Sequence, residues 1–502
     1  MCGIAAYVGP VTDERISQVD TAADRLRHRG PDADGFRIAG NVMFAHRRLA
    51  IVDVQGGAQP LTSEDGRVSL ICNGEIYNYA LLRRTLVTRH TFATQSDSEV
   101  IVHLYEERGP RSVDLLAGMF AFVLTDGQRV FAARDALGIK PLYIGRDGGE
   151  GLWFASEIKA LQSVCNQIDE FPPGCFYTSE RGFERFYEPS WMETPVGRRD
   201  ERTHDLAQAL ETSTTRHLMG DVPVGVLLSG GLDSSLLAAL ARPHVDRLHT
   251  FTVGFDGSPD VLAAREVAQY LGATHHERVY SLADMLAVLE PVIYHLESYD
   301  PALIRSAIPC YFVSQLAAEH VKVVLCGEGS DEIFAGYRYF SGLSDPRLLH
   351  RESVRILQGL HNINLQRADR MTMAHALEGR VPFLDNEFLD VAMGLDPALK
   401  VHRGDRREKW YLRQAFDGLL PDHILWRTKV EFAAGCGSEQ SLQTHCERFV
   451  SDQEFGRAAE WFPDDTPVTK EAFYYRRIFE RFFPGDALQR TVGRWRGAVA
   501  LE

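Results

Sequence analysis

Three groups of residues have types and spacings that could do chemistry. Cys2 follows the initiator methionine, and a residue that small permits removal of Met1, leaving a thiol and its own α-amino group on one residue. An α-amine with a pKa of about 7.7–8.0 can take the thiol proton near neutrality, so one residue would be both nucleophile and base. Far along the chain, Ser229-Gly230-Gly231-Leu-Asp233-Ser234 interrupts an apolar run that begins at Val224 and resumes after Ser235. A strand, a glycine loop and a helix in that order let backbone N–H groups approach a polyphosphate at the positive end of a helix dipole. No Gly-Lys-Ser/Thr closes the loop, so a pyrophosphate cradle is expected instead of a Walker site. A plain strand-to-helix turn would need only one glycine. The third group, Gly327-Glu328-Gly329-Ser330-Asp331-Glu332, loads a glycine-flexed turn with carboxylates. Magnesium bound to pyrophosphate would use such hard oxygen ligands, with Asp233 and Asp331 as the metal pair and Glu328 as proton acceptor for an attacking amine. The simpler alternative is a solvated acidic turn capping the next helix.

Near the start of the chain, polar clusters interrupt apolar segments at Arg47-Arg48, Asn73-Gly74-Glu75 and Ser96-Asp97. An amide donor such as glutamine needs a cation for its α-carboxylate, anions for its α-ammonium and donors for the oxyanion. Arg48, then Glu75 with Asp97, then Asn73 with the Gly74 N–H fill those roles in turn. In isolation, Asn73-Gly74 also fits a type I′ hairpin turn and Asp97 a helix N-cap.

The elements that must position these residues fall into two textures. Over the first 190 residues, short β-branched and aromatic segments are punctuated by turn dipeptides such as Asp126-Gly127, which reads as antiparallel strands. Helical stretches near residues 16–26 and 98–107 would cover the outer faces, giving stacked sheets between helices. After a proline-rich, charged stretch at 187–202, apolar strands near 224–228, 249–253 and 321–326 alternate with helical patterns. That alternation predicts a doubly wound parallel sheet, with ligands beyond the carboxyl ends of its strands.

A chain of 502 residues is too long for one hydrophobic core, so two domains are expected, at 2–190 and 205–484, with a tail at 485–502. The net charge of −15 argues against a nucleic-acid partner. The chain has no run of eighteen apolar residues and no basic-then-apolar leader, and its eight cysteines are scattered, so a reduced, cytoplasmic protein without a membrane partner is expected. The tail lacks periodicity and is read as mobile or as a contact in a homodimer.

These residues carry a family resemblance. Ser229-Gly-Gly-Leu-Asp-Ser-Ser235 resembles the loop of ATP-pyrophosphatases, and Cys2 with the polar clusters resembles the class II glutaminase domain, an N-terminal-nucleophile (Ntn) hydrolase with an αββα sandwich. Gly327-Glu-Gly-Ser-Asp-Glu332, Glu378-Gly-Arg380, Glu408-Lys409 and Trp426-Arg-Thr-Lys429 extend the match to the asparagine synthetase family over nearly the whole chain. The resemblance implies that ATP and Mg2+ activate a side-chain carboxylate as an acyl-adenylate, which ammonia made from glutamine then attacks. It implies ATP contacts at Leu228, Ser229, Gly230, Gly231, Asp233, Ser234, Val253 and Gly327, and charge stabilisation on phosphorus by Lys429. Acceptor contacts would fall at Ala302 and Arg305. Here the chain departs from the family, which usually has two threonines where Ala302-Leu303 stand and polar residues near Ala433-Ala434. The acceptor is therefore aspartate or another carboxylic acid. A non-catalytic glutamine or ATP sensor would be expected to have lost Cys2, Asp233 or Glu328, and all three are present.

Overall fold

The computed structural model describes residues 1–149, 151–193, 203–401, 407–428 and 438–495. Twelve strands build the N-terminal half: β1 Cys2–Val8, β2 Ala33–Ala39, β3 Val42–Arg48, β4 Leu61–Thr62, β5 Ser69–Ile76, β6 Gly118–Thr125, β7 Val130–Arg134, β8 Tyr143–Arg146, β9 Leu152–Ala155, β10 Gln167–Glu170, β11 Cys175–Thr178 and β12 Gly182–Arg185. They form two six-stranded antiparallel sheets, ordered β10-β8-β9-β1-β3-β2 and β12-β11-β7-β6-β5-β4. β1 and β3 are buried along both faces and so lack polar alternation, whereas the edge strand β2 alternates half-buried with exposed. Ile4, Phe44, Ile71, Val123 and Phe154 share the core between the sheets. The helix Asp13–Asp24, capped by Thr12, packs on β1 and β3, while Glu99–Arg108 buries Val100, Ile101 and Leu104 on the other sheet. Sheets between helices are the expected sandwich.

The C-terminal half carries five parallel strands, β13 Val224–Leu227, β14 His249–Gly254, β15 Thr274–Val279, β16 Val323–Leu325 and β17 Glu378–Arg380, ordered β15-β14-β13-β16-β17. The order reverses direction between β13 and β16, so the loops that leave these two strands border the switch-point crevice. Those loops carry the Ser/Gly and the acidic sequences.

Buried polar side chains lock the halves together. Arg29 Nη1 pairs with Glu157 at 2.7 Å and with Asp369 at 2.8 Å, Lys140 Nζ donates to the Gly379 carbonyl, and Glu297 accepts from the Lys159 N–H. Of the tail expected to be mobile, the part described is packed: Leu488 and Thr491 are buried, and the Trp495 N–H donates to Asp300. Thr491 and Trp495 find partners that a search for helical periodicity cannot reveal.

Candidate active sites

Cys2 begins β1 and lies directly across from Arg48 of β3. Its N–H donates to Asn73 Oδ1 at 2.9 Å, while Asn73 Nδ2 is buried without a hydrogen bond, a donor available to an oxyanion. Asn73 and Gly74 are not a hairpin turn: they sit inside β5, opposite Ala121 and Phe120 of β6. A Cβ on Gly74 would lie 2.2 Å from the Met119 carbonyl oxygen, so close backbone approach is what requires glycine there. Asp97 is not an N-cap either. Its Oδ2 accepts from the Ile76 N–H at 2.6 Å, which anchors it beside Glu75, and Ser98 precedes the helix instead. Arg48 donates to the carbonyls of Val52, Asp53 and Val54 and so shapes the loop on its side of the site.

The Met1 ammonium is buried 2.9 Å from Glu378 Oε2 and 3.9 Å from Glu75 Oε1. Burial opposes that charge, yet Glu378, Cys2 and Glu75 hold the ammonium pKa above its ordinary value. Burial, with repulsion from Glu378 and Asp97, pushes Glu75 well up, and burial raises Asp97 to about 6. Burial would raise Glu378 too, but the terminal ammonium, Arg380 and Lys140 hold it at about 2. Burial also lifts the Cys2 thiol, outweighing the ammonium and Arg48, so the thiol needs a base before it can attack. Glu378 reaches this pocket from the other half of the chain, which its place in a short Glu-Gly-Arg sequence did not suggest.

The second site fills the switch-point crevice, a cavity of about 820 Å³. The loop after β13 turns at Gly230, whose φ of +68° favours glycine and where a Cβ would come within 2.5 Å of the Ala263 carbonyl carbon. Ser229 N donates to Ser234 Oγ and Gly231 N to Ser229 Oγ, and Gly231 caps the helix Leu232–Ala241. Leu228, Ser229, Gly231, Asp233, Ser234, Val253 and Gly327 line the cavity, whereas Gly230 lies behind it, its carbonyl accepting from Arg427. The Ser330 hydroxyl donates to Asp233 Oδ1 at 2.7 Å, joining the two loops.

Asp233 and Asp331 do converge. Their oxygens lie 2.5 and 2.6 Å from the Lys409 ammonium, so a hard oxygen pair already gathers round one cationic centre, a donor set that suits Mg2+. The two carboxylates raise the Lys409 pKa against the opposing pull of burial. Glu328 is ion-paired with Arg367 at the cavity wall. Glu332 instead is buried, accepts from Tyr337 and Asn364, and is raised to about 7 by burial and Asp331. Lys409 and Arg367 were not assigned roles from sequence; Glu408-Lys409 signalled the first only as a family match.

Ala302 and Leu303 line the cavity, so the departure from the family pattern falls inside the pocket. Arg305, one turn further along the helix Pro301–Ala318, is engaged elsewhere: its Nε donates to Glu471 at 2.9 Å, and it is not among the described residues lining the cavity. Packing of the helix Lys470–Phe482 supplies that partner, which lies 166 positions away in sequence. Lys429 and Ala433-Ala434 lie outside the described residues.

A buried cysteine site in an antiparallel sandwich, joined to a glycine-loop crevice on a parallel sheet, defines a two-site amidotransferase of the α/β class. Residues 1–183 match the glutamine amidotransferase domain family, and residues 205–348 and 342–500 match the asparagine synthase family. The chain is 47% identical over 516 aligned residues to asparagine synthetase [glutamine-hydrolyzing] 2 of Arabidopsis thaliana, covering 98% of this chain and 89% of the relative. It is 46% identical to the Oryza sativa subsp. japonica enzyme of the same designation and 45% identical to asparagine synthetase [glutamine-hydrolyzing] of Triphysaria versicolor, each over 98% of this chain, and 87% and 88% of those relatives. The chain belongs to the glutamine-hydrolysing asparagine synthetase family.

Proposed function

We propose that this enzyme makes asparagine from aspartate, ATP and glutamine, with domains at 2–190 and 205–484. After Met1 is removed, the Cys2 amine takes the thiol proton and the sulfur attacks the glutamine amide carbon; the proton passes to the amide nitrogen, ammonia leaves, and water hydrolyses the resulting thioester to glutamate. Asn73 Nδ2 and the Gly74 N–H receive the oxyanion, Arg48 the substrate carboxylate, and Glu75 with Asp97 its ammonium. In the second site Val253 meets adenine, while the loop from Leu228 to Ser234 and Gly327 hold the phosphates. Asp233 and Asp331 would bind Mg2+, which neutralises pyrophosphate charge. The aspartate carboxylate displaces pyrophosphate to give the acyl-adenylate, ammonia attacks its carbonyl carbon, Glu328 takes the proton and AMP leaves. Lys429 is assigned the charge on phosphorus.

The observation that carries this reading is the pairing, in one chain, of Cys2 facing the free Asn73 amide with a crevice that has the Ser/Gly loop and convergent aspartates. Met119, Leu137 and Ile139 of the sandwich belong to the same apolar cluster as Leu232, Val381 and Leu384, so the ground between the sites is apolar, as passage of neutral ammonia would require. The seven described cysteines are unpaired, in keeping with the cytoplasm. A second reading, amide formation on another carboxylic acid, is favoured by Ala302 and Leu303 in the pocket wall: losing a buried polar partner costs about 1–3 kcal/mol. Incubation with ATP, Mg2+, glutamine and aspartate, with AMP, pyrophosphate and asparagine followed by mass spectrometry, separates the two. Asparagine appearing in step with AMP supports the first; glutamine hydrolysis without asparagine rejects it and directs the search to other acids.

A further inference from the structure

Away from both sites, the sandwich gathers two imidazoles and two carboxylates at one point of its surface. Glu64 follows β4, His90 follows the helix Tyr79–Leu86, and His103 and Glu106 share one face of the helix Glu99–Arg108. One ligand atom from each lies within 4.8 Å of all the others. His90 Nδ1 is 3.5 Å from Glu64 and 3.4 Å from Glu106, and His103 Nδ1 is 3.7 Å and 3.1 Å from the same two carboxylates. A tetrahedron with metal–ligand bonds of about 2.0–2.1 Å has edges of about 3.3–3.4 Å, in the middle of that range.

The surroundings of the two rings point the same way. Each turns its Nδ1 to the common centre and its Nε2 to an outer carboxylate: His90 to Glu107 at 3.3 Å and His103 to Glu99 at 3.7 Å. Neither contact is a hydrogen bond as the rings stand; with a metal on Nδ1, the Nε2 proton would face these carboxylates, the outer partner that a ligating histidine uses. The His103 side chain is wholly buried, and its Nε2 has no hydrogen bond. Glu64 and Glu106 remain partly exposed and leave a path for an ion to enter.

We propose that Glu64, His90, His103 and Glu106 form a tetrahedral site for a first-row divalent cation of the zinc class. Two imidazoles with two carboxylates suit Zn2+ and not Mg2+, which distinguishes this centre from the Asp233–Asp331 pair. The ion would clasp three separate segments of the sandwich. Residues 91–98, which include Asp97, run between two of the ligands, so the clasp would tether both ends of that loop.

The test uses the full-length protein freed of metal by chelation and titrated with Co2+ as a spectroscopic probe. The expected result is one equivalent bound with the visible absorption of tetrahedral Co2+, displaced by Zn2+ and accompanied by a rise in melting temperature. His90→Gln and Glu106→Gln should each lose that absorption; both positions are at the surface side of the cluster, and an unchanged circular dichroism spectrum confirms their folding. Asp331→Asn and Cys2→Ala should keep it. Absence of tetrahedral Co2+ in the parent protein, or its persistence in both cluster variants, overturns the proposal. None of these readings depends on amide synthesis.

Discussion

The Lys409 ammonium lies 2.6 Å from Asp331 Oδ1, and the same nitrogen reaches Asp233 at 2.5 Å, so one side chain joins the loop after β13 to the loop after β16. Lys409→Met would leave two neighbouring carboxylates without their buried cation. Loss of one partner from a buried pair costs about 3–5 kcal/mol. ATP–pyrophosphate exchange should fall to background, with a lower melting temperature, while glutamine hydrolysis at Cys2 persists. Exchange at the parent rate would refute the role of Lys409 in aligning the two loops.

Gly230 tests the cradle through the backbone. Alanine there must adopt a positive φ and place its Cβ against Ala263. A strain of about 1–3 kcal/mol should weaken ATP binding by roughly five- to 150-fold, measured by calorimetry. Unchanged affinity would show that the loop can relax around the added methyl group.

Asp97 sets a pH limit. Its carboxyl, raised by burial to about 6, is neutral below that pH and charged above it. Binding of the glutamine ammonium requires the charged form, so kcat/KM for glutamine should decline as pH falls through about 6. A profile flat down to about pH 5, well below this value but above the ordinary carboxylate range, would contradict the assignment of Asp97.

Asp369 tests the junction between the halves. Asp369→Ala would leave Arg29, buried and also bonded to the Cys2 carbonyl, with only Glu157 as counterion. A loss of about 3–5 kcal/mol is expected as a lower denaturant midpoint. A shift of under about 1 kcal/mol would mean that Glu157 alone satisfies the guanidinium.

Much of this was legible because it is local. The apolar segments at 119–124, 130–133, 152–155 and 249–253 correspond to β6, β7, β9 and β14, and the helical patterns near 16–26 and 98–107 to helices offset by at most three residues. β17 was not legible, since Glu378-Gly-Arg380 carries no apolar residue; it is a strand through its parallel pairing with β16, and Arg380 and Glu378 pair with each other in the buried interface. β15 is equally polar, with Thr274, His275, His276 and Glu277 on the sheet edge. The strength of Asn-Gly as a turn signal also misleads at β5, where contact with Met119 decides the matter. At the sites, residues within motifs were readable, whereas partners from distant elements were not: Glu378 for Met1, Arg367 for Glu328 and Glu471 for Arg305.

The transfer of nitrogen from one site to the other is the central claim, and isotope tracing tests it most directly. The enzyme is supplied with aspartate, ATP, Mg2+ and glutamine labelled with 15N in its amide, in the presence of excess unlabelled ammonium chloride. Asparagine that keeps the 15N label, together with its loss to unlabelled product in Cys2→Ala, is the predicted result. Asparagine labelled only in proportion to the ammonium pool would contradict direct delivery from Cys2 to the acyl-adenylate.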